Sequence, residues 1–88
     1  MKHILIVDDE APIREILSQM LTQSGFRVTE AAAAHEALVK LESDPPDLLI
    51  SDLQLEESDG LSMISKMRAK HPSLPVILLT GILFDEEV

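Results

Sequence analysis

The stretch Ile4-Leu5-Ile6-Val7-Asp8-Asp9-Glu10 decides the fold. Four apolar residues run without alternation and stop abruptly at three acids. A strand with one wet face alternates apolar and polar side chains. An unbroken run instead reads as a strand buried on both faces, the habit of parallel sheets covered by helices. Ala11 and Pro12 follow, and proline suits a first helical turn, where its missing N–H is not needed. Ile13, Ile16, Leu17, Met20 and Leu21 then recur at i, i+3, i+4, i+7 and i+8, a single helical stripe that Gly25 ends.

The same grammar continues outward. Phe26 to Glu30 alternates, as expected of a less buried strand near a sheet edge. A second helix is expected over about Ala33 to Glu42, with Ala34, Ala37, Leu38 and Leu41 facing inward and Ser43-Asp44-Pro45-Pro46 closing it. Leu48-Leu49-Ile50 is another buried strand and runs straight into Ser51-Asp52. After a polar loop from Gln54 to Gly60, Ser58 or Asp59 can cap a helix from Leu61 to about Lys70, which His71, Pro72 and Pro75 close. Val76-Ile77-Leu78-Leu79 is a fourth strand, ending in Thr80-Gly81. The order β-α-β-α-β-α-β requires a parallel sheet with right-handed crossovers. The expected fold class is therefore α/β, a doubly wound parallel sheet in strand order 2-1-3-4, forming one domain over residues 1–88 with no internal repeat or linker.

Composition bounds what such a domain can do. Eighty-eight residues suffice for one small core, and the absence of cysteine excludes disulfides and thiolate metal sites. A net charge of −9 repels phosphate backbones, so direct nucleic-acid binding by this segment is not expected. The same acids suit a protein that holds a cation, or merely keep a small domain soluble. Lys2 and His3 precede too short an apolar run for a signal peptide, and no later run could span a bilayer. A soluble cytoplasmic protein is the expectation.

In open α/β sheets, ligands bind beyond the carboxyl ends of the strands, where the strand order reverses. Here that point lies between the first and third strands, which end in Asp8-Asp9 and Asp52, and Thr80 ends the fourth strand on the same rim. Singly, helix capping accounts for Asp9 or Glu10 and a turn for Asp52. Capping does not account for all of them on one rim. Clustered carboxylates repel unless a cation neutralises them, and an all-oxygen donor set selects a hard ion, Mg²⁺ first, then Mn²⁺ or Ca²⁺.

The strings ILIVDDE (residues 4–10), LLISDLQLEESDG (48–60) and VILLTG (76–81) resemble the receiver domain of bacterial two-component response regulators, over Lys2 to Gly81. The resemblance implies a flavodoxin-like receiver fold with Asp52 as the phosphoacceptor. It implies Mg²⁺ at Asp9 directly, at Asp8 through water, at Asp52, and at the backbone carbonyl of Gln54. Thr80 would bond a phosphoryl oxygen and move with activation. The phosphoryl donor would be a phosphohistidine on a sensor histidine kinase or phosphotransfer protein, with Asp52 as nucleophile and water later hydrolysing the acyl phosphate. Such a domain is not an enzyme beyond catalysing its own phosphorylation and dephosphorylation. Two departures stand out. Glu56 occupies a position where the family usually has proline. The chain ends at Val88, before the fifth strand and the lysine that ends it in the family, so the domain is expected to be C-terminally incomplete, to lack the last two helices, and to accept phosphate slowly by itself.

Other features read as structural. His3, His35 and His71 share no metal-ligand spacing and are expected at the surface, and Met20, Met63 and Met67 are expected in the core. Neither G-x-x-x-x-G-K-[ST] nor G-x-G-x-x-G occurs, which disfavours nucleotide binding. A haloacid-dehalogenase-type phosphohydrolase would want Asp-x-Asp-x-Thr after the first strand, where this chain has Asp8, Glu10 and Pro12. A receiver-like interaction module that is never phosphorylated is the remaining alternative. Finally, Val76 to Leu79 carries no charge, proline or bulge, and Ile82-Leu83-Phe84 follows it, so a homodimer through the fourth-strand edge is expected.

Overall fold

A computed structural model describes residues 1–52 and 60–79. The elements run β1 (His3–Val7), α1 (Ala11–Gln23), β2 (Arg27–Ala31), α2 (Ala34–Ser43), β3 (Leu48–Asp52), α3 (Gly60–Lys70) and β4 (Val76–Leu79). The strands form one parallel sheet in the order β2-β1-β3-β4, as the buried apolar runs and the helical connections require. Among the described residues, no helix is long and apolar enough to cross a membrane.

β1 is buried along its whole length because it lies between two strands and under helices on both faces. The two-residue period of a strand divides its side chains. Leu5 and Val7, with Leu49, join Ala34, Ala37 and Leu41 of α2 and Met63, Ile64 and Met67 of α3. Ile4 and Ile6, with Ile50, meet Leu17 and Leu21 of α1 together with Phe26, Val28 and Leu79. Two cores therefore flank one sheet.

The α1 stripe is only half used. Leu17 and Leu21 pack inward, whereas Ile16 is 56% and Met20 57% exposed, so Met20 is not a core residue as its spacing suggested. Periodicity defines a stripe about 100° wide, but α1 lies over β2 and β1 and buries only the part facing them. Met63 and Met67 are buried as expected.

The end of α1 is closed by a glycine in the left-handed region. Gly25 has φ +97°, its N–H bonds to Thr22 O at 3.0 Å, and the Phe26 N–H bonds to Leu21 O at 3.1 Å. This is the Schellman pattern, and it explains why β2 starts at Arg27 rather than at Phe26, whose N–H the helix end has taken. A Cβ at Gly25 would meet nothing within 4 Å, so the requirement there is conformational.

His3 also departs from expectation: it is 3% exposed. Its Nε2 and the Thr29 hydroxyl are hydrogen-bonded at 2.6 Å, and its Nδ1 lies 3.4 Å from the Pro45 carbonyl. Its main chain is held by Asp47, whose Oδ2 accepts from His3 N at 2.8 Å and whose N–H donates to His3 O at 2.7 Å. The first residue of a central strand is covered by its neighbours whatever its polarity, and His3 survives there because both ring nitrogens have partners. His71 is half-buried, 3.4 Å from Glu42, and His35 is exposed.

Two substitutions test this division of α1 and the core. Leu41→Ala, in the α2–α3 core, should cost about 2–5 kcal/mol of unfolding free energy, and Met20→Ser no more than about 0.5 kcal/mol. Denaturant unfolding of both variants measures the difference. Equal losses would show that the exposed half of the α1 stripe is covered in solution.

Candidate metal and phosphoacceptor site

Parallel register builds the site. Val7 is level with Ser51, so the residue after Val7 lies beside Asp52 at the shared carboxyl end of β1 and β3. β1 continues into α1 and then β2 on one side of the sheet order, while β3 continues towards α3 and β4 on the other. The crevice between them is the switch point where ligands bind in open α/β sheets. One carboxylate oxygen from each of Asp8, Asp9 and Asp52 lies within 4.8 Å of the others. Among the described residues no other group of three potential metal-ligating side chains converges in this way.

Asp8 is the most constrained of the three. It is 3% exposed; its N–H donates to Ala31 O at 3.1 Å, and its Oδ1 accepts from the Glu10 N–H at 2.8 Å. Its carbonyl accepts from Arg14 Nη1 at 2.6 Å. Burial is the main reason its carboxyl titrates above the ordinary value of 3.8; the Glu10 N–H opposes the shift, and the charges of Asp52, Asp9 and Glu10 add to it. Asp9 and Asp52 are each half-buried. Ser51, fully buried, donates from its hydroxyl to the Asp52 carbonyl at 3.0 Å and pins the last residue of β3.

Glu10 forms the boundary of α1 without side-chain capping, accepting instead through its carbonyl from the N–H groups of Ile13 at 3.1 Å and Arg14 at 3.2 Å. The Glu10 carboxylate is thus not spent on capping α1. All-oxygen donors, mutual repulsion and a burial-raised carboxyl fit a hard divalent cation. Gln54 and Thr80, the other expected site residues, lie outside the described residues, as do Glu56, Ser58, Asp59 and Ile82-Leu83-Phe84.

One pair at this rim was not anticipated from sequence. Arg14 Nε lies 3.3 Å from Glu30 Oε1 while its Nη1 holds the Asp8 carbonyl. The signal was present: an arginine in the first turn after the acids, and a glutamate at the end of the strand that register places beside β1.

A doubly wound α/β sheet with three carboxylates at its switch point defines a narrow class. The sequence matches the response regulator receiver domain family over residues 4–87, and the chain belongs to that family. It is 39% identical over 76 residues to the DNA-binding transcriptional regulator NtrC of Klebsiella pneumoniae, covering 86% of this chain and 16% of that protein. It is 38% identical over 78 residues to the C4-dicarboxylate transport transcriptional regulatory protein DctD of Rhizobium meliloti, covering 89% of this chain and 17% of that one. The response regulator protein TrrA of Thermotoga maritima, solved in complex with Mg²⁺-BeF, superposes with TM-score 0.87 at 40% identity over 92% of this chain and 70% of that one. The chain is therefore a phosphoacceptor signalling domain of the two-component type, and neither alternative reading is favoured.

The raised Asp8 carboxyl has a pH signature. For such a group the stabilising contribution is complete below the unfolded-state value and is lost as the pH rises through the higher folded-state value. In metal-free protein Asp8 should therefore cost stability as the pH rises from about 3.8 towards neutrality. Asp8→Asn, whose amide oxygen can still accept from Glu10, should be more stable than wild type at pH 7 without metal and should lose that advantage when Mg²⁺ is added. Unfolding midpoints across pH, with and without Mg²⁺, check both parts.

Proposed function

We propose that Asp52 accepts a phosphoryl group from a phosphohistidine donor, with Mg²⁺ held by Asp8, Asp9, Asp52 and the backbone carbonyl of Gln54. Mn²⁺ is an acceptable substitute on donor chemistry. The observation that carries this reading is the convergence of three carboxylates at the switch point of a receiver fold. The TrrA complex with Mg²⁺-BeF supports it by likeness.

The bound cation supplies charge neutralisation, allowing a phosphoryl anion to approach a carboxylate. The rest is work for the chain. β3 and the buried Ser51 hydroxyl hold Asp52 at the rim, where it is half-buried. An Asp52 carboxylate oxygen forms the new bond to phosphorus as the bond to the donor's imidazole nitrogen breaks. Water later cleaves the acyl phosphate, returning the carboxylate and inorganic phosphate. Thr80 contacts a phosphoryl oxygen and acts as the switch that changes partner interactions.

The donor partner is a sensor histidine kinase or a phosphotransfer protein, in the cytoplasm, and residues 1–88 belong to one receiver domain. The chain itself contributes no nucleic-acid or membrane contact. A homodimer through β4 accompanies this reading. β4 has one described strand neighbour, β3, and exposes Ile77 at 48% and Leu78 at 42%. Pairing two β4 edges would cover both.

With Mg²⁺ and a small phosphodonor such as acetyl phosphate, covalent label should appear on the peptide containing Asp52. It should vanish in Asp52→Asn and on chelation of the metal. Label on Asp8 instead would transfer the case to the phosphohydrolase alternative. The dimer has its own measurement: sedimentation across a concentration range should show reversible association that Ile77→Lys weakens, and a monomer at every concentration would remove the β4 interface.

A further inference from the structure

Asp8 is held at three points, two of them by main-chain groups: its N–H by the Ala31 carbonyl and its carboxylate by the Glu10 N–H. The third depends on a side chain. Arg14 Nη1 donates to the Asp8 carbonyl at 2.6 Å, and the same guanidinium faces Glu30, with Nε 3.3 Å from Oε1. The carbonyl of Asp8 and the N–H of Asp9 belong to one planar peptide unit. Holding that oxygen therefore sets the plane from which the Asp9 Cα and its carboxylate project.

We propose that Arg14, braced by Glu30, is a positioning residue that locks the Asp8–Asp9 peptide plane and so aims the Asp9 carboxylate at the cation. This inference rests on the metal-binding reading above. Glu30 is a firm brace. It pairs with Ile6 in the β1–β2 register, and its carbonyl accepts from Lys40 Nζ, which in turn lies 3.2 Å from Glu36. Glu36 Oε1 accepts the Ala32 N–H at 3.0 Å, so the chain of contacts runs from the start of α2 through β2 to the acidic rim. The planar fork of arginine is suited to the task because one group reaches a carbonyl and a carboxylate at once, which a lysine ammonium does not do with fixed geometry.

Two physical effects of Arg14 have opposite signs, and this makes the proposal decidable. As a nearby cation it repels a second cation, so Coulomb's law alone predicts that Arg14→Ala tightens Mg²⁺ binding. As a positioning residue it preorganises a ligand, so its loss should weaken binding. The experiment is an Mg²⁺ titration followed by backbone amide and carbonyl shifts in wild type, Arg14→Ala, Arg14→Lys, Glu30→Gln and the Arg14→Ala/Glu30→Gln pair. Arg14→Ala should weaken Mg²⁺ binding about tenfold and Glu30→Gln roughly threefold, as outer-shell partners of a metal site do. Arg14→Lys should recover only part of the loss, and adding Glu30→Gln to Arg14→Ala should cost nothing further. In metal-free protein, Arg14→Ala should move the Asp8 carbonyl carbon shift. If Arg14→Ala does not fold, Glu30→Gln and Arg14→Lys carry the same sign test. Variants binding Mg²⁺ as tightly as wild type, or more tightly, would overturn the positioning role while leaving the metal site intact. Wild type with no saturable response at residues 8, 9 and 52 would instead overturn the metal reading beneath it.

Discussion

Three carboxylates within 4.8 Å of one another repel, and the structure around them is built to hold them together. Two unit charges at such a distance, near a protein surface, oppose each other by roughly 3–4 kcal/mol. What withstands this is the apolar grip on β1. Ile4, Leu5, Ile6 and Val7 are essentially without solvent contact, and burying each such side chain is worth about 1.5–3 kcal/mol. A strand so firmly seated cannot slide to relieve its own acidic end. The strain is therefore confined to the rim, where a cation can relieve it.

A cation bound at the proposed site would couple its binding to fold stability in one equilibrium. A ligand that binds only the folded state stabilises it by mass action, and the stabilisation grows with the mismatch it repairs. Asp8 carries such a mismatch, because it combines burial with three acidic neighbours. Its hydrogen bond from Glu10 lessens the penalty without removing it. The phosphoryl group proposed for Asp52 would bring further negative charge to the same place, so on that proposal a metal would assist the phosphoryl group rather than compete with it.

The sheet was legible in the sequence because its evidence is local. Unbroken apolar runs at Ile4–Val7, Leu48–Ile50 and Val76–Leu79, each followed by polar residues, mark parallel strands without reference to anything distant. The convergence of Asp8, Asp9 and Asp52 followed from strand order, since register places strand ends side by side. What stayed hidden depended on which neighbour covers which surface. The α1 stripe is visible by period, but whether Met20 is buried depends on where α1 lies across the sheet. His3 has the polarity of a surface residue and is enclosed because Thr29 and the Pro45 carbonyl happen to meet its ring.

Arg14 and Glu30 show the same limit at the site itself. Sixteen residues apart, they form a pair only once β2 has folded back beside β1, and neither carries a motif of its own. Sequence patterns find residues that must bear charge against a ligand, because chemistry restricts their type. They do not find the residues that aim those charges, because many side chains can reach a carbonyl and only the folded register says which one does. At this rim the distinction has consequences. The three acids suit a divalent cation by charge, but Asp9, half-buried between β1 and α1, has no packing of its own comparable to that of Asp8. Its direction is inherited through one peptide plane from a neighbour pinned by an arginine. The precision of the site therefore resides in β2 and α1, outside the ring of acids that defines it.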